Sequence, residues 1–211
     1  MANSEAGVAP SIRSQAAGAK VHFALDPSKP LRFIDAKIAK ERDDRRRNNL
    51  QTVRDHIYHE ITLNPDGVMA TLSPKANYRV WVDGVDKGPK GYKGIRDWYV
   101  DQNIRRQKTF VIQLDLERVI VDDEFVVTEG QMNVVVDGAH ANKVYNRGYA
   151  PEDVYLQSFR QIVVWSMDEQ SKLLGEDFYS SGMAQDDAWR RLEPDEIPAD
   201  WYRLVELSKT I

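Results

Sequence analysis

Two long runs of alternating apolar and polar residues meet at an acidic dipeptide: KTFVIQLDLERVIVDD at 108–123 and EFVVTEGQMNVVVDG at 124–138. Alternation with period two over so many residues predicts long, half-buried strands, and the Asp-Asp pair between them predicts a hairpin. A second pair follows, VYLQSFRQIVVWSMDE and LLGEDFYSSG, separated by a short polar break. Four long hairpin strands must bury one face, and no repeat is present to stack against. The cover has to come from the segment upstream.

That segment is helical by pattern. From Phe33 to about Ile61 there is no Gly or Pro, and charged residues alternate with aliphatics, which predicts one long helix. On a wheel centred on Ile57, the residues Leu50, Val53, Ile61 and Asn64 fall within about 40°. Pro65 ends that helix at Asn64 and opens a short second one, PDGVMATLSP. NYRVWVDG reads as a strand into an Asp-Gly turn, and GYKGIRDWYVDQNI as a third helix. AHANKVYNRGYAPED, at 139–153, reads as a long loop of functional or oligomeric interest.

The order predicts an α+β protein, a curved antiparallel sheet wrapped around helices into a cone with an internal pocket. Residues 1–30 are expected to be a flexible arm, 31–183 the cone, and 184–211 a helical appendage docked by aromatics such as Trp189, Trp201 and Tyr202.

Charge and composition narrow the function. A net charge of −4 argues against a general nucleic-acid binder. The basic run RDDRRR is broken by aspartates and reads as a solvated helix face, with an anionic partner second. The absence of cysteine removes thiolate metal sites and cysteine nucleophiles. No run is long and apolar enough to span a membrane, and no signal peptide is evident. A cytoplasmic protein is expected.

The helix end RDHIYHEITLNPD carries the chemistry of greatest interest. His56 and His59 stand at i, i+3, but they lack the His-Glu-x-x-His pattern, and His22 and His140 are remote. They read as solvated or hydrogen-bonded histidines, with no metal site expected. Glu60 lies about 60° from the buried centre, so it is either a proton carrier whose affinity is raised at a pocket rim or an ion-pair partner beneath the sheet. His56 and Tyr58 fall on the flanks, and His59 points away unless the Pro65 break re-aims it.

On the strands, Glu129, Gln131 and Asn133 share a face that lines either solvent or the pocket. Arg160 is either an exposed strand arginine or an oxyanion partner. Asp177 and Tyr179 share one face, opposite Glu176 and Phe178. Tyr78 and other aromatics on core elements would suit an aromatic ligand. No phosphate loop, dinucleotide fingerprint or nucleophile elbow occurs, so no cofactor is expected.

The succession HEITLNPDGVMATLSP, YRVWVDG, KGYKGIRDWY, VIVDDEFVVTEGQM and KLLGEDFYSSG resembles the SnoaL-like branch of the nuclear-transport-factor-2-like superfamily, over about residues 35–182. That superfamily includes ketosteroid isomerases, scytalone dehydratases, polyketide cyclases, carbon–carbon lyases acting on lignin-derived aromatics, and proteins without catalysis. The resemblance implies a cone with a pocket but selects no single reaction. Several members carry an acidic residue where Asn64 stands here, and asparagine cannot act as a base. The implied function is a cofactor-independent lyase, dehydratase or isomerase acting by acid–base catalysis on a small apolar, aromatic (lignin-derived diol-like) or polycyclic molecule. The alternative is a non-catalytic ligand-binding or dimerisation module. The candidate catalytic residues are Glu60, His59 and Tyr58, with Asn64, Tyr78, Glu129, Arg160 and Tyr179 as substrate-binding groups. A homodimer or higher homo-oligomer is expected from the resemblance.

Overall fold

The structure, a computed structural model, describes residues 25–82 and 84–211. Most of the proposed arm, including His22, lies outside the described residues. The chain enters through α1 (Lys29–Ile38) and α2 (Asp44–Ile61). The sequence predicts a single helix here, and the structure breaks it at 39–43. Polar side chains make the break without Gly or Pro: the Glu41 carboxylate accepts from the Arg42 and Asp43 amides, and Asp43 then caps α2 by accepting from the Arg46 amide.

Leu63 closes α2 in a left-handed conformation, φ 57°. Asn64 caps α3 (Pro65–Thr71), its side chain accepting from Gly67 N–H at 3.0 Å. After β1 (Arg79–Val82) and β2 (Val85–Asp86), α4 (Gly91–Asp97) runs on as a π-helical stretch, Trp98–Arg106. The sequence pattern identified this helix but not its change of pitch.

The long strands are β3 (Val111–Val121), β4 (Phe125–Asp137), β5 (Val154–Met167) and β6 (Leu173–Ser181). The Asp122 carboxylate forms the β3–β4 turn by accepting from the Glu124 and Phe125 amides. Strand order is β2-β1-β6-β5-β4-β3, with β1 and β6 parallel and the remaining neighbours antiparallel. The sheet is curved and unclosed, with register shifts at Leu116/Arg118 and Ser166/Met167.

The stretch 139–153 is not all loop. Asp137 caps a helix, α5 (Gly138–Tyr145), by accepting from His140 N–H, and Asn146 ends it in the left-handed region. The tail adds β7 (Trp189–Arg191) to the β5 edge, then α6 (Ala199–Thr210). Trp201 and Leu204 of α6 are buried where it packs on β3 and the π-helical stretch.

The inner face of the sheet carries Val126, Thr128, Phe159, Val163 and Trp165 against Leu50, Val53 and Ile57 of α2. This is the α+β cone architecture, and the end of α2 lies within its wall.

Candidate active site

His56 is fully buried and sits at the centre of a polar cluster on the inner face. Its Nε2 lies 3.0 Å from a Glu176 carboxylate oxygen, 3.6 Å from Glu60, 3.0 Å from the Tyr99 hydroxyl and 3.4 Å from the Tyr78 hydroxyl. Its Nδ1 lies 2.7 Å from Thr71 Oγ1. The Tyr99 hydroxyl is within donating distance of both carboxylates, 2.9 Å from Glu60 and 3.2 Å from Glu176. Five elements build this point. α2 places His56 and Glu60 one turn apart on one face. α3 supplies Thr71, the segment before β1 supplies Tyr78, the π-helical stretch supplies Tyr99 and β6 supplies Glu176. Trp165 covers the imidazole edge-on, with its indole N–H committed to Thr128 Oγ1.

Burial and pairing oppose one another here. Burial alone would drive the His56 proton off, but hydrogen bonds to Glu176 and Glu60 outweigh it and push the imidazole up to about 9. Burial raises the Glu60 carboxyl above its ordinary value even though His56 pulls the other way. Tyr78 and Tyr99 are held well above the usual phenol range by burial and by the Glu176 charge, so both remain neutral donors. With His56 charged and both glutamates ionised, the cluster is one unit negative. A single proton would neutralise it.

Glu60 connects this cluster to a cleft lined also by His59, Leu63, Asn64, Val68, Tyr99 and Phe110. The cleft is narrow and opens to solvent. Pro65 and Ile104 complete an apolar wall. His59 lies flat on α3 because residue 67 is glycine: a Cβ there would come within 2.2 Å of His59 Nδ1. The Asn64 amide donates to the same nitrogen at 3.2 Å.

The eight residues singled out from sequence separate into groups. Glu60 and Tyr78 lie in the cluster, and His59 and Asn64 line the cleft. Tyr58 is 42% exposed, with the Arg54 guanidinium over its ring, so it points away from the cleft. Glu129 and Arg160 form an ion pair on the outer face of the sheet at 2.8 Å, with Arg118 and Glu117 as further partners. Tyr179 is 44% exposed on that face and stacks on Trp81. The polar stripe of β4 is therefore the outer one.

His56, Glu176, Tyr99 and Thr71 were not singled out as site residues from sequence. The i, i+4 spacing of His56 and Glu60 was a usable signal, as was the position of Glu176 opposite Asp177 and Tyr179. The α2 wheel left His56 on the flank because it does not register the neighbours that β6 and the π-helical stretch bring. Among the described residues, His56, Glu60 and Glu176 present donor atoms within 4.8 Å of one another, a set able to hold a divalent cation. This set differs from the His56–His59 pair considered from spacing. Its two carboxylates are already engaged by His56 Nε2 and the Tyr99 hydroxyl.

Known structures share this architecture. The chain superposes on a SnoaL-like protein named as a polyketide cyclase from Jannaschia sp. CCS1 with TM-score 0.54 and 12% identity, covering 71% of this chain and 96% of that one. A second protein so named, from Shewanella denitrificans OS-217, gives TM-score 0.53 and 9% identity over 66% and 95% of the two chains. A nuclear-transport-factor-2-like protein of unknown function from Burkholderia pseudomallei K96243 gives 0.47 and 17% over 64% and 91%. The fold is the SnoaL-like cone. No family model matches the sequence, and no curated protein is significantly similar to it. At these identities the likeness establishes the SnoaL-like fold and not a reaction. No described helix is long and apolar enough to cross a membrane.

Proposed function

We propose that this chain is a cofactor-independent enzyme that moves a proton on a small apolar or aromatic molecule held in the cone, as a lyase, dehydratase or isomerase. The observation that carries this reading is the position of Glu60, the carboxylate shared by the cleft and the buried cluster. Its side chain is about one-tenth exposed, 11%. It is the proton carrier in this reading. Burial raises its proton affinity, and the cluster reaches neutrality when it takes one proton, so removal of a proton from a bound molecule is favoured over leaving the cluster charged. The His56–Glu176 pair, neutral overall, stands behind it. Tyr99, whose hydroxyl donates to Glu60, is the donor for a developing oxyanion once Glu60 is protonated.

The apolar wall of Leu63, Val68, Ile104 and Phe110 supports an apolar ligand. Seating an aromatic ring in this narrow cleft requires the apolar wall to part. The test is turnover of a panel of aromatic diols and hydroxy-steroids by the wild type and by Glu60→Gln. A rate lost on that substitution and retained in Arg160→Ala is expected. An unchanged rate in Glu60→Gln would remove Glu60 from the chemistry and this reading with it.

A further inference from the structure

His56 and His59 stand three positions apart on α2, and each is held by a short chain of hydrogen bonds that ends on backbone. For His56 the chain runs through Thr71. The Thr71 hydroxyl donates to the Val68 carbonyl at 2.7 Å, so its only proton is committed. Toward His56 Nδ1, 2.7 Å away, the same oxygen can only accept. Nδ1 must therefore carry a proton. For His59 the chain runs through Asn64. The Gly67 amide donates to Asn64 Oδ1 at 3.0 Å, which fixes the orientation of the side-chain amide. The NH2 group then faces His59 Nδ1 at 3.2 Å and donates to it. Nδ1 of this ring is an acceptor, so the proton sits on Nε2. No partner for that Nε2–H is found among the described residues.

We infer that the two histidines are locked in opposite tautomers, so that His56 gains and loses its proton only at Nε2, while His59 offers a free Nε2–H at the cleft to an acceptor oxygen of the bound molecule. Thr71 and Asn64 are the positioning residues. Around His56 the groups facing Nε2 are Glu60, Glu176, Tyr78 and Tyr99. Fixing Nδ1–H on Thr71 directs every proton exchange of the ring toward the two carboxylates and none toward α3. At the cleft, a carbonyl, ether or phenolate oxygen finds a donor in His59, whereas a hydrocarbon of the same shape does not. The acceptor-oxygen part rests on the proposal that the cleft is the substrate site. The tautomers do not.

Long-range proton–nitrogen correlation spectra of the histidine rings at pH 10 test the tautomers without any turnover. The expected result is Nδ1–H with bare Nε2 for His56 and the reverse for His59. Thr71→Val should abolish the His56 Nδ1–H signal and Thr71→Ser should restore it, while Asn64→Ala should release the His59 preference alone. A wild-type His56 protonated at Nε2 instead, or tautomers unmoved by both variants, would overturn the inference, and the wild-type measurement decides even where a variant fails to fold. Titration with acetophenone should shift the His59 Nε2–H resonance, and titration with isopropylbenzene should not. An equal response to both, or none to acetophenone, rejects the acceptor-oxygen assignment. If the tautomers are as inferred and Glu60→Gln keeps full activity, the proposed function falls while the tautomer assignment stands.

Discussion

On the outer face of the sheet Arg160 lies between Glu117 and Glu129; on the inner face His56 lies between Glu60 and Glu176. Each is a cation flanked by two carboxylates. The Arg160 side chain is 43% exposed and that of His56 is 0% exposed. Water screens the outer trio, so its members keep their charges whether or not they meet. The inner trio has lost its water, so each member's charge depends on the others and on the tyrosine and threonine hydroxyls around it. The same pattern of charges therefore makes a screened surface ion pair on one side and a buried, mutually dependent cluster on the other.

That contrast can be broken at specific positions. The largest effect is expected from His56→Ala, which leaves two carboxylates facing each other without a cation and should destabilise the fold by about 3–5 kcal/mol, read by denaturant unfolding. A loss no larger than that of a surface substitution would mean that the inner trio is not coupled.

The pH dependence follows from the same pair. His56 is raised in the folded protein from 6.5 to about 9, so its contribution is complete below pH 6.5 and is lost as pH rises through 9. Glu60 is also raised and acts in the same direction. Stability should therefore fall between pH 6.5 and 9, by up to about 3 kcal/mol for the His56 shift alone. A flat stability profile across that window would contradict the assignment.

Next in size, Glu60→Gln should lower kcat about 100-fold, the usual contribution of a positioned proton carrier. Tyr99→Phe removes one donor shared by both carboxylates and should cost about 1–2 kcal/mol of stability, with a smaller fall in rate. At the bottom of the scale, Arg160→Ala should leave activity unchanged and Tm within about 2 °C of wild type. If Arg160→Ala and His56→Ala behaved alike, the comparison of the two faces would have no content.

The α+β architecture was legible in the sequence because period-two alternation over β3, β4 and β5 survives into the fold, and because Asp122 makes the turn its sequence announced. The break between α1 and α2 was not legible from Gly and Pro, since Glu41 and Asp43 make it with side-chain oxygens. Of the site, Glu60 was legible because Ile57 and Val53 fix the buried side of α2. Glu176 was set on the face of β6 opposite Asp177 and Tyr179, but nothing local said which of the two faces met the cluster. For Glu129 and Arg160 the sequence left solvent and pocket open, and the structure puts them on the outer face. A polar stripe in a valine-rich strand has the same pattern on either face, and only the position of the helices decides between them.

The partner that satisfies His56 arrives on β6, the last of the long strands, whereas His56 and Glu60 belong to the second helix. His56 and Glu60 balance each other in charge on α2 alone, so it is the docking of β6 against β5 that brings the unbalanced carboxylate into the cone.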